Sequence, residues 1–155
     1  MDEENRRRQD MASEQGEALL YEWKERLGLQ EWRIKLIDDC KPEDMTVANV
    51  AGCTDWNETV KAARIEIINP IFYGERIVPF DYEKTLVHEL LHLKTCLVSD
   101  AVDDLQERYM HQLIDDMARA LMSAKAYGYM AGYSDMARRM SSETSNESNA
   151  EGEAS

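Results

Sequence analysis

A chain of 155 residues with 43% hydrophobic content has the length of one domain and enough apolar material for a single core. Its 31 acidic residues against 18 basic ones give a net charge of −13, which repels phosphates and argues against direct binding to DNA or RNA. No apolar run approaches the roughly 18 residues needed to span a bilayer, and the charged stretch Met1 to Asp10 lacks the apolar segment of a signal peptide, so the expected compartment is the cytoplasm.

Residues 1–13 carry Asp2, Glu3, Glu4, Arg6, Arg7, Arg8 and Asp10 with almost nothing apolar, and read as a disordered amino terminus. From Ser13 to Leu27, Ala18, Leu19, Tyr21, Trp23 and Leu27 recur among charges at helical spacing, and Gly28 stands where a helix ends. Trp32, Ile34 and Leu36 then alternate with Glu31, Arg33 and Lys35, the period of a strand with one buried face. Asp38 to Asp44, with Pro42, suits a loop. Thr46 to Trp56 reads as a second strand with Gly52 as a bend or bulge, and Thr59 to Ile68 as a third, in which Ala63, Ile65 and Ile67 alternate with Arg64 and Glu66. Three successive strands of this kind suggest a mainly antiparallel meander. Ile71 to Phe80 is a loop containing Gly74 and Pro79, and Asp81 is placed to cap a helix running from about Tyr82 to Val98.

That helix holds His88-Glu89-Leu90-Leu91-His92. Histidines four residues apart project from one helix face about one turn apart, so both imidazoles can reach a single ion, and Glu89 can reach a water on it. The pattern is the His-Glu-x-x-His zinc signature, in which zinc acidifies the water and the glutamate serves as general base. Such a pair also arises by chance on solvated faces. Here Leu86, Val87, Leu90, Leu91, Leu93 and Leu97 cover nearly all directions, which marks a buried helix. Buried polar groups cost about 1–3 kcal/mol each when unpaired, and a metal would satisfy them.

A further helix spans about Val102 to Lys125, with Leu105, Met110, Leu113, Ile114, Met117, Leu121 and Met122 as its core stripe. Glu107 and His111 share that stripe. If the two helices pack antiparallel, Glu107 is the first choice for third zinc ligand, because a carboxylate beside two histidines leaves one position open; His111 is the alternative, and Asp103 or Asp104 follow. Among Tyr127, Tyr129 and Tyr133 one hydroxyl could stabilise an oxyanion, although packing explains them as well. The domain is expected over 14–140, and 141–155, rich in Ser, Glu and Asn, as a disordered acidic tail. Cys40, Cys53 and Cys96 are far apart, with no Cys-x-x-Cys pair, and read as reduced thiols.

The order of parts resembles a family. Leu27-Gly28-Leu29 before Trp32-Arg33-Ile34, the strand Ala63-Arg64-Ile65-Glu66-Ile67, then Thr85-Leu86-Val87-His88-Glu89-Leu90-Leu91-His92-Leu93 and a helix with Glu107 and His111 look like the small zincin-type metallopeptidases common in bacteriophages and prophages. More distantly the chain is similar to the ImmA/IrrE family. The resemblance covers about Leu19 to Leu121 and implies an α+β zincin-like domain: an amino-terminal helix, the sheet, the motif helix, and a following helix with the third ligand. It implies His88 and His92 as zinc ligands, Glu89 as general base, Glu107 as downstream ligand, a protein or peptide substrate, and the host-cell cytoplasm for a phage-encoded chain. One departure is that His92 and Glu107 are closer in sequence than in many glutamate-zincins.

Two functions compete. One is a zinc metallopeptidase, for which Glu89 is required. The other is a non-proteolytic protein in which zinc staples two helices while the acidic surface binds a basic partner or mimics nucleic acid. SprT-like proteases carry basic DNA-binding surface that this chain lacks. Endoribonucleases with a His-x-x-x-His zinc site want a third histidine soon after the second, and none follows His92 closely.

Overall fold

A computed structural model describes the backbone of residues 3–99 and 104–150, and the side chains of residues 14–96 and 106–136. The fold is α+β. In chain order it has α1 (Glu3–Leu27), β1 (Arg33–Cys40), β2 (Gly52–Asn57), β3 (Ala62–Ile68), α2 (Pro70–Tyr73), α3 (Tyr82–Ser99) and α4 (Asp104–Ala150). It divides into two compact units, Met1–Ala118 and Arg119–Ser155, the second made from the remainder of α4.

Helix ends lie where their chemistry puts them. Gly28 adopts φ +63°, and its amide donates to the Glu25 carbonyl while the Leu29 amide donates to the Lys24 carbonyl. This is the glycine-terminated helix end in which orphan carbonyls are satisfied and the next apolar residue, here Leu29, is buried. Asp81 caps α3, accepting from the Lys84 amide at 2.9 Å. Inside the expected 71–80 loop, Asn69 caps the single turn of α2 by accepting from the Ile71 amide.

The three strands form one mixed sheet in the order β1-β3-β2, so the expected mainly antiparallel meander is corrected. β2 and β3 are an antiparallel pair, whereas β1 lies parallel to β3, with Ile34 opposite Ala63 and Leu36 opposite Ile65. The physical reason lies in burial. Ile65, Glu66, Ile67 and Ile68 are all buried, and a strand covered on both faces belongs in the centre, where both edges are paired. Thr46 to Ala51, expected to begin the second strand, belongs instead to the connection between β1 and β2, which runs over 41–51. Glu66, expected to face outward, is 1% exposed beneath it. It accepts from the Thr46 amide (2.7 Å) and hydroxyl (3.1 Å) and from the Cys53 thiol (3.2 Å), and it pairs with Arg64. Burial opposes its ionisation, but the Thr46 amide, the Cys53 and Thr46 side chains and Arg64 outweigh it and hold the carboxyl below its usual range.

The opposite sheet face carries Ala63, Ile65 and Ile67, and there α3 packs on β2 and β3 while α1 packs on β1 and α3. Three side-chain interactions seat these elements. The Trp23 indole donates to Glu83 at 2.7 Å, joining α1 to the first turn of α3. The Tyr82 hydroxyl donates to Asp38 at 3.1 Å, joining α3 to β1. Gly16 leaves room for that pair, because a Cβ there would overlap Asp38 and the Tyr82 hydroxyl. Leu86, Val87, Leu90, Leu91 and Leu93 are all buried, so α3 is enclosed on most sides, as its composition suggests.

α1 begins at Glu3 and α4 runs to Ala150, so helix occupies most of the stretches read from sequence as a disordered amino terminus and tail. No proline interrupts either, and alanine, glutamate, arginine and methionine favour helix. The core stripe expected along α4 is narrower than the spacing suggests: Ile114 and Ala118 are buried, while Leu113 and Met117 are 52% and 40% exposed. Among the described residues no helix is long and apolar enough to cross a membrane.

Candidate metal centre

The site is built by α3 and the start of α4. One helical turn separates His88 from His92, and their Nε2 atoms face each other at 3.2 Å. Asp115 of α4 lies against the other side of the first ring, accepting from His88 Nδ1 at 3.1 Å. That bond fixes the proton on Nδ1 and leaves the Nε2 lone pair aimed at His92. Lys84, one turn before His88, reaches the same Asp115 oxygen at 3.4 Å. His111, one turn before Asp115, stacks on His88 at 5.8 Å between ring centroids and meets the His92 ring edge-on at 4.8 Å. As α3 advances from Lys84 to His92 its partners on α4 retreat from Asp115 to His111, the contact order of antiparallel helices.

His88, His92 and His111 form a group whose ligand atoms lie within 4.8 Å of one another and could hold a metal ion. Two nitrogens bound tetrahedrally at about 2.0–2.1 Å from zinc stand about 3.3–3.4 Å apart, and the 3.2 Å separation of the α3 pair matches that edge. His111, the exposed member, has at most about 1.5 Å to close, within reach of a rotamer adjustment. Of the residues marked in the sequence, the structure brings together His88, His92 and the alternative third ligand His111. Glu107 is exposed one turn farther along α4 and is not in the group. Asp103 lies outside the described residues, as does the side chain of Asp104.

The electrostatics suit metal binding. Burial, reinforced by the neighbouring His88 and His111 imidazoles, pushes His92 down to about 4. Burial also lowers His88, with Asp115 working against the shift. Both rings are therefore neutral around pH 7 and offer lone pairs. Burial opposes ionisation of Asp115, yet Lys84 and His88 hold its carboxyl below the ordinary value.

Glu89, on the neighbouring face of α3, is 5% exposed. Its carboxyl lies over β2, where the Thr54 hydroxyl donates to Oε2 at 2.8 Å and also approaches the Glu89 carbonyl at 3.2 Å. Gly52, expected from sequence as a bend or bulge, sits in regular register opposite Ile67, and its lack of a side chain makes the space for this carboxyl. A Cβ at Gly52 would stand 2.8 Å from Glu89 Oε1 and 3.0 Å from Thr85 Cγ2. Burial raises Glu89 to about 7, only partly offset by Thr54, so near neutrality it can both take and give a proton.

No protein-family model, curated protein or solved structure matches this chain. The site is therefore read from its own atoms. Sequence reasoning missed Asp115, Thr54 and Gly52. Asp115 had a signal, since it lies four residues beyond His111 on one helix face. Thr54 and Gly52 had none, because their role depends on how β2 meets α3.

Proposed function

We propose that this protein is a zinc-dependent metallopeptidase that hydrolyses peptide bonds of a protein substrate. His88, His92 and His111 hold the ion, and Glu89 is the general base. The observation that carries the reading is the pair of inward-facing Nε2 atoms of His88 and His92, 3.2 Å apart and joined by His111, on the same helix turn as a buried glutamate raised to about 7. Bound there, zinc would supply an acidified water and polarise the scissile carbonyl.

The remaining work falls to the chain. Asp115 keeps His88 in the tautomer that presents Nε2. Thr54 and Gly52 seat the Glu89 carboxyl, which accepts the proton of the attacking water and delivers it to the leaving amine. Among the described residues the group offers three protein ligands, which would leave one tetrahedral position for water and substrate, whereas a purely structural zinc site has four protein ligands. In this reading His111 takes the role that sequence spacing favoured for Glu107.

The test combines zinc content with cleavage of an unfolded protein substrate. Wild type should hold one zinc and cleave. Glu89→Gln should keep zinc and lose cleavage by several orders of magnitude. A folded wild type without stoichiometric zinc would sink the reading, and zinc-loaded protein whose function survives Glu89→Gln would favour the interaction protein.

A further inference from the structure

Two of the three candidate ligands stand on a helix that needs no metal to hold it. α3 buries Leu86, Val87, Leu90, Leu91 and Leu93 and packs on β2, β3 and α1, so the apolar core positions His88 and His92. The third, His111, arrives on the opening stretch of α4. Residues 106–118 of that helix belong to the same compact unit as α3.

That stretch is held by far less. Its seam follows His111, Ile114, Asp115 and Ala118, which share one helix face. Ile114 and Ala118 are the side chains it buries, and Ala118 brings only a methyl group, whereas Tyr109, Leu113 and Met117 are exposed. The polar part of the seam is Asp115 against His88 and Lys84. The Asp115 side chain is 43% exposed, and charge pairs open to water in this way hold little. Gln106 and Asp116 are engaged too, but both are exposed. A helix keeps its place chiefly through the apolar face it buries, and here that face is one isoleucine and one alanine.

We propose that occupancy of the His88, His92 and His111 centre seats residues 106–118 of α4 against α3, a device that rests on reading these histidines as metal ligands. The half of the centre on α3 is preformed, with its Nε2 atoms 3.2 Å apart, and takes zinc first. His111, the exposed member, then closes on the ion and ties α4 to α3. Where a site is completed only by docking, the free energy of metal binding becomes free energy of docking. Loss of zinc releases 106–118 while α1, the sheet and α3 stay folded. Zinc supply therefore decides whether the α4 side of the centre is in place as well as whether water can be activated there.

Hydrogen exchange of the full-length chain, read by mass spectrometry at labelling times too short for β3 to exchange, tests this beside elemental analysis for zinc. In chelator the amides of 106–118 should exchange at least about tenfold faster than in equimolar zinc, while those of Ile65 to Ile68 stay protected in both. His111→Ala should exchange fast over 106–118 with or without zinc, and in chelator it should match wild type. Wild type that binds zinc with no slowing over 106–118 would overturn the proposal and leave the ligand reading standing. Wild type that binds no zinc would overturn both. Exchange faster in His111→Ala than in wild type, both in chelator, would make His111 a packing residue and overturn the proposal, as would loss of β3 protection on zinc removal.

Discussion

His88 and Asp115 form the hydrogen bond that sets the orientation of His88 in the candidate metal centre. The aspartate accepts from Nδ1 at 3.1 Å and so directs Nε2 toward His92. Lys84 holds the same carboxylate from the preceding turn of α3, so two successive turns of α3 grip Asp115 of α4.

Removing that brace gives the first prediction. Asp115→Asn keeps the shape but removes the charge that favours the Nδ1–H tautomer, and zinc affinity should fall about 10- to 100-fold. Competition with a chelator of known affinity measures this. Unchanged affinity would show that His88 is oriented by packing alone.

The ligand set yields a second prediction. His88→Ala, His92→Ala and His111→Ala should each lose stoichiometric zinc by elemental analysis, while Glu107→Ala should keep it, because Glu107 lies outside the group. The reverse pattern at Glu107 and His111 would return the third-ligand role to the carboxylate.

The metal-free protein should show two opposed pH dependences. Glu89 is raised from 4.5 to about 7, so its contribution to stability is fully present below about pH 4.5 and lost as pH rises through 7. His92 is lowered from 6.5 to about 4, so its contribution is present above about pH 6.5 and lost as pH falls toward 4. Glu89→Gln removes only the first. In chelator it should be more stable than wild type by about 2 kcal/mol at pH 8 and nearly equal at pH 4.5, with a steeper loss on acidification. Denaturant melts at the two pH values decide it; equal stability at pH 8 would mean that Glu89 ionises without penalty.

Gly52 gives a fourth prediction. A methyl group there reaches within 3.0 Å of both Glu89 and Thr85, so Gly52→Ala must displace the carboxyl or open the contact between α3 and β2. Cleavage should drop at least about tenfold with zinc retained, and stability should fall by about 1–3 kcal/mol. Wild-type cleavage in a folded, zinc-loaded Gly52→Ala protein would mean that the glycine has no part in seating Glu89.

Much of this was legible in the residues themselves. The motif spacing, the Asp81 cap, the Gly28 helix end and the enclosed face of α3 are local matters, decided by helical period and by backbone groups that need partners close in sequence. So were the three strands and the placement of both histidines on one helix face. Tertiary structure decided the rest. The order β1-β3-β2 follows from burial on both faces of β3, and the alternation Ala63, Ile65, Ile67 cannot reveal that Glu66 is also covered. Glu107 and His111 share one helix stripe and cannot be ranked by period; only the crossing of α4 over α3 brings His111 to the pair and leaves Glu107 exposed. Thr54 and Gly52 gain their roles because β2 lies beneath Glu89, a meeting of residues 35 positions apart between Thr54 and Glu89 that no local period encodes.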